Sequence, residues 1–151
     1  MWPWEHLAFS YVAYSLGYHR FQHQPPDGVA VILLAFGTLA PDLVDKPLAW
    51  WIGVLPSGRS AGHSALVAAV VVAAVIWYSR RQSQTNAGLA FGIGYVMHLV
   101  GDSLVAVRYG TYADLSFWLY PLTPAPVYPE HESVWAQLST LLATISQVDL
   151  S

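Results

Sequence analysis

The sequence contains no cysteine. Disulfides and thiolate metal sites are therefore excluded, and any metal held by this chain must use His, carboxylate or backbone ligands. Charge is scarce as well: Asp, Glu, Lys and Arg make up 10% of 151 residues, where soluble domains carry ~25%. So few charges cover a water-facing surface poorly, whereas a surface that meets lipid needs almost none. The six Lys and Arg are scattered singly apart from Arg80-Arg81, and the net charge is −3, which leaves no basic footprint and predicts no nucleic-acid partner. Met1-Trp2-Pro3-Trp4-Glu5-His6 lacks a basic segment ahead of the apolar residues, so it does not read as a cleaved signal peptide, and His6 is expected to be retained. With no internal repeat, linker or composition break, residues 1–151 read as a single membrane-embedded domain.

What is abundant is apolar and aromatic. Hydrophobic residues reach 55%, and seven Trp with nine Tyr suit the belts that form where a ring sits among lipid headgroups. The clearest apolar span covers residues 61–79, about the length that a bilayer core requires, and is closed by Arg80-Arg81. A second covers residues 87–107 and contains Gly88-x-x-x-Gly92, a small-residue spacing that lets helices approach closely. Residues 7–18 and 28–40 are shorter apolar runs; the first becomes long enough when extended back to Trp2, and the second ends at Pro41. Residues 42–60 read as a loop with an aromatic stretch at 48–55, and residues 108–133 as an irregular segment with Pro121, Pro124, Pro126 and Pro129. Residues 134–148 carry one apolar helical stripe. The fold class that follows is all-α: a polytopic helical bundle of four to five helices with an irregular Pro-rich loop, lying multi-pass in the cell membrane with the lipid bilayer as its partner.

Threading the four spans up and down the bilayer gathers the ionisable residues. If the first helix descends from His6, the second rises to Pro41-Asp42, the third descends from His63 and the fourth rises from Ala87, then His6, Asp42, Asp45 and His63 share one end. His98 and Asp102 lie ~18 Å and ~24 Å above Asn86 at ~1.5 Å per residue, beneath the other four. They are spaced i and i+4, on one face of one apolar helix. Ionisable side chains inside a span are costly, and they mark functional sites more often than not. By itself the His98–Asp102 pair reads equally as a hydrogen-bonded packing pair. The convergence of four segments turns the reading toward a divalent metal with His6, Asp42, His63, His98 and Asp102 as ligand candidates. Such a mixed nitrogen and oxygen set suits Zn²⁺ or Mn²⁺. Asp45 is a candidate either for proton transfer or for supporting a ligand. Arg59 is the cation expected to meet a phosphate, because a guanidinium grips two oxygens at once. His19 and His23 fall at the opposite end and read as loop residues, while His131 sits in the Pro-rich segment.

Four short motifs in order, Pro41-Asp42-Leu43-Val44-Asp45, Gly58-Arg59-Ser60-Ala61-Gly62-His63-Ser64, His98-Leu99-Val100-Gly101-Asp102 and Trp118-Leu119-Tyr120-Pro121-Leu122, resemble the YdjM-like membrane-bound metal-dependent hydrolases. The resemblance runs from His6 to about Pro124. It implies a multi-pass, metal-dependent hydrolase with His6, Asp42, His63, His98 and Asp102 at the metal; in the reading of the residues themselves, Asp45, Arg59 and Asp102 are the candidates for the chemistry. The order His, Asp, His, His-x-x-x-Asp is also distantly similar to that of zinc-dependent phospholipases C. That likeness favours a lipid or phosphoester substrate; Zn²⁺ is the first expectation for the metal and Mn²⁺ the second. One departure stands out: the family stretch reads His-Arg-Gly-x-Thr-His-Ser, and this chain has Gly58, Ser60 and Gly62 in place of the first His, the Gly and the Thr.

Two other classes fit parts of the pattern. A non-catalytic protein could use the metal to staple its helices or recruit a partner. An ion transporter would also bury His and Asp, but residues 87–97 of the fourth span contain no His, Asp or Glu to continue a path.

Overall fold

The computed structural model describes residues 2–126 together with Leu138, Ser139, Leu142 and Ala143. Among them the chain forms a bundle of four α-helices, α1 (Pro3–Gln22), α2 (Gly28–Trp50), α3 (Ala65–Arg81) and α4 (Thr85–Tyr109), followed by a 3-10 helix (Tyr112–Leu119) and with no strand. The stripe expected over residues 134–148 lies outside the described residues apart from those four, which are helical.

Local chemistry sets the helix ends. Pro3 opens α1, where its missing N–H costs nothing, and the Glu5 carboxylate turns back to accept from the Trp2 N–H at 2.7 Å. Asp27 caps α2 by accepting from the Ala30 N–H at 2.9 Å, and Ser64 caps α3 by accepting from the Leu66 N–H at 3.2 Å. Gly110 closes α4 in the left-handed region, φ 71°, a conformation that a side chain would resist.

Three boundaries differ from the sequence expectation. First, α2 does not stop at Pro41; it runs through Pro41 and Pro47 to Trp50, so Asp42 and Asp45 are helical rather than loop residues. A helix can carry internal proline where surrounding elements re-satisfy the backbone. The added turns are tied down by an Asp42–Lys46 i,i+4 ion pair at 2.6 Å and by contacts of Asp45 described below. Second, the third helix begins at Ala65, not residue 61, because Ser64 takes the capping position and leaves His63 in a turn. At 17 residues it is about 26 Å long. Third, residues 112–119 of the segment expected to be irregular wind into the 3-10 helix.

Two of the helices, α2 and α4, are long and apolar enough to cross a membrane. They also form the most extensive helix pair. Glycine permits it: a Cβ on Gly37 would fall onto the Phe91 carbonyl, and one on Gly94 onto the Leu34 carbonyl. The Gly88-x-x-x-Gly92 pair does the same against α3, where a Cβ would meet Ser79 and Val72.

Polar side chains share the interior with Leu34, Leu99 and Phe117, while many large apolar side chains face outward. Fully buried side chains include His6, His63, His98, Asp45, Asp102, Thr38 and Ser10, while Leu16, Phe21, Ile32, Phe36 and Val70 point outward. Lipid accepts such an exterior, and polar groups are then stable only where they satisfy one another inside.

Candidate metal centre

Four elements deliver the buried ionisable groups to one end of the bundle. The first turns of α1 supply His6, the last turns of α2 supply Asp42 and Asp45, the turn before α3 supplies Arg59 and His63, and the upper part of α4 supplies His98 and Asp102. His63 and His98 have no exposed surface, His6 has 1% and Asp102 has 2%.

His63 is held by the α2 extension. The Asp45 carboxylate accepts from the backbone N–H of Ser60 at 2.7 Å, of Gly62 at 2.7 Å and of His63 at 3.2 Å. Its Oδ2 also lies 2.8 Å from His63 Nδ1. A carboxylate oxygen accepts, so Nδ1 is the donor in this contact and Nε2 is the ring nitrogen turned inward. The turn comes this close to α2 because residue 62 is glycine: a Cβ there would stand 2.8 Å from the Pro41 carbonyl oxygen and 3.2 Å from Asp45 Oδ1. Tyr95 on α4 donates its hydroxyl to the Gly62 carbonyl at 2.5 Å, and Phe117 of the 3-10 helix sets its ring edge-on to His63 at 5.9 Å.

Facing His63 Nε2 is His98 Nε2 at 3.1 Å, with Asp42 Oδ1 at 3.6 Å from the first and 3.8 Å from the second. Four ligands at ~2.0–2.2 Å around a tetrahedral ion lie about 3.3–3.6 Å from one another. The three donor atoms come close to that triangle, and two imidazole nitrogens facing each other beside a carboxylate oxygen form a donor set for a divalent cation. Asp42, His63 and His98 thus form one group able to hold an ion, and His6, His98 and Asp102 form a second that shares His98.

Asp102 is held by an arginine and approached by a histidine. Arg59 grips it with both arms, Nε to Oδ2 at 2.7 Å and Nη2 to Oδ1 at 3.1 Å, and His6 Nε2 lies 3.3 Å from Oδ1. Asp102 Oδ2 remains 3.6 Å from His63 Nε2 and 4.0 Å from His98 Nε2, at the margin of the first group. The His6 and His98 rings stack at 3.9 Å and 17°. Their Nδ1 atoms, with the Ser10 hydroxyl one turn below His6, are buried without a hydrogen-bond partner. Buried polar atoms left in that state are costly, and here they cluster beside the donor set.

The structure therefore brings together His6, Asp42, Asp45, Arg59, His63, His98 and Asp102. It places His19 and His23 on the exposed far end of α1, while His131 lies outside the described residues. Sequence reasoning passed over Tyr95, Phe117 and the Ser60 N–H. Tyr95 carried a signal, lying three residues before His98 in an otherwise apolar span; a backbone donor carries none. At Gly58 the Trp50 indole lies against the backbone, where a Cβ would stand 3.2 Å from its ring.

The family model of the YdjM inner membrane protein matches residues 1–149, and the chain belongs to that family. No curated protein and no solved structure matches it.

Proposed function

We propose that this chain is a multi-pass, membrane-bound, metal-dependent hydrolase that acts on a phosphoester or lipid at the membrane interface. The observation that carries the reading is the triangle of Asp42 Oδ1, His63 Nε2 and His98 Nε2, with His63 oriented by Asp45. A histidine fixed by a carboxylate behind it is the usual arrangement at protein metal sites. In this reading α1 and α3 cross the bilayer beside α2 and α4, and the centre lies near one surface.

The roles follow from the contacts. Asp42, His63 and His98 would hold the cation, Zn²⁺ first and Mn²⁺ second, and His6 and Asp102 would complete the ligand set or hold a second ion. When bound, such an ion would supply a water of lowered pKa, toward ~7, and polarise the scissile bond. Asp102, at the margin of the donor set, would accept a proton only once substrate draws the Arg59 fork away from it. Asp45, whose oxygens are engaged by three backbone N–H groups and His63, positions His63 instead of exchanging protons with substrate. Arg59 neutralises Asp102 before substrate arrives and offers its fork to phosphate oxygens when they do.

The test is hydrolysis of a panel of phosphoesters and phospholipids by purified protein in detergent, with and without Zn²⁺ or Mn²⁺. Turnover that requires metal and is lost in His63→Ala supports the reading. The absence of metal-dependent turnover across the panel would leave a metal-stapled, non-catalytic membrane protein.

A further inference from the structure

Beside the metal centre, between the start of α1 and the end of α2, lies an open groove of roughly 460 Å³. That is within the ~300–1,000 Å³ of small-molecule sites. Its walls are Trp2, Trp4, Leu39, Leu43, Trp50 and Trp51, and its polar lining residues are Asp42 and Lys46. Trp2 and Trp4 stack at 4.9 Å and 8° to make one continuous aromatic face, and Lys46 Nζ stands 5.8 Å from the centre of the Trp50 ring.

Asp42 belongs to the groove and to the metal centre at once. Its Oδ2 pairs with Lys46 at 2.6 Å, while its Oδ1 faces His63 and His98. A molecule lying in the groove with a polar end at Lys46 therefore brings that end against the donor set. The lysine ammonium has three donors and gives one to Asp42, so two remain for the oxygens of a ligand at the inner end of the groove. Apolar walls of tryptophan, with the free donors of Lys46 and the divalent cation of the proposed centre at the inner end, match an amphiphile with an anionic head. In an inner membrane protein, the amphiphile at hand is a lipid.

We infer that the Trp-lined groove binds one acyl chain of an anionic membrane lipid and presents its headgroup, held by Lys46, to the metal centre. The inference builds on the hydrolase reading and names its substrate class.

The experiment is photo-crosslinking in detergent with two probes that carry a diazirine in one acyl chain, a phosphatidylglycerol and a phosphatidylcholine, with labelled peptides mapped by mass spectrometry. Turnover is not read, so a failure of the hydrolase reading leaves this result intact. The expected result is phosphatidylglycerol labelling concentrated at residues 2–4 and 39–51. Lys46→Gln should lower it about fivefold, the effect of one lysine on an anionic headgroup. Leu43→Trp, at a position that is 60% exposed, should block labelling by filling the groove, with bound metal unchanged. Labelling spread evenly over outward positions such as Val70 and Leu104 would overturn the inference. So would equal groove labelling by both probes that ignores Lys46→Gln.

Discussion

Asp45 Oδ2 lies 2.8 Å from His63 Nδ1, and the same carboxylate receives the backbone N–H groups of Ser60, Gly62 and His63. One side chain from α2 thus fixes both the turn that carries His63 and the direction in which its free nitrogen points. Asp45→Asn keeps the size but exchanges one acceptor oxygen for a donor facing N–H groups. Zn²⁺ affinity measured by competition with a chelating dye should fall 10- to 100-fold, the usual cost of losing such a supporting partner. An affinity equal to the wild type would mean that Asp45 does not orient a ligand.

Gly62→Ala tests the approach of the turn to α2. The added Cβ would sit 2.8 Å from the Pro41 carbonyl oxygen, which is backbone and cannot swing aside. Overpacking of this kind costs about 1–3 kcal/mol. The unfolding temperature in detergent should drop, and the metal should bind more weakly because His63 moves with the turn. Gly17→Ala, at a helical glycine with open space around it, is the matching control: it should not lower the unfolding temperature, since Ala favours a helix more than Gly does, and should leave metal binding unchanged.

Trp118→Phe separates the scaffold from the centre. The indole N–H donates to the Ser103 hydroxyl at 2.8 Å, pinning the 3-10 helix to α4. Losing one such bond costs about 1 kcal/mol. Thermal stability should fall modestly, while metal stoichiometry stays at the wild-type value.

Metal removal should destabilise the bundle, because a ligand bound to the folded state alone stabilises by mass action, ~2.7 kcal/mol at a hundredfold excess over Kd. Chelation followed by differential scanning fluorimetry should lower Tm, and Zn²⁺ should restore it. In His98→Ala, chelation should leave Tm where it was.

Much of the centre was legible before any fold was known. The i,i+4 spacing of His98 and Asp102 and the alternating direction of four apolar spans were enough to gather His6, Asp42, His63, His98 and Asp102 at one end. That reasoning needs only the length of each helix and the direction in which it runs. What stayed hidden depends on particular close contacts. Pro41 read as a helix end, since proline removes a donor, and only the packing of the turn at residues 57–63 against Asp45 shows why the helix goes on. The approach of α2 to α4 rests on Gly37 and Gly94, which no motif pairs because they lie on different helices. Arg59 was expected as a phosphate cation, and its fork on Asp102 follows from a loop path that spacing does not encode.

The central claim is that Asp42, His63 and His98 hold a divalent cation. Its most direct test is the metal content of each chain, by mass spectrometry on protein purified in detergent, for the wild type beside His63→Ala and His98→Ala. The wild type should carry stoichiometric metal, or take up Zn²⁺ or Mn²⁺ stoichiometrically on titration, and each variant should lose both. A wild type that is metal-free and takes up neither ion would contradict it and leave the buried His and Asp residues as a hydrogen-bonded core.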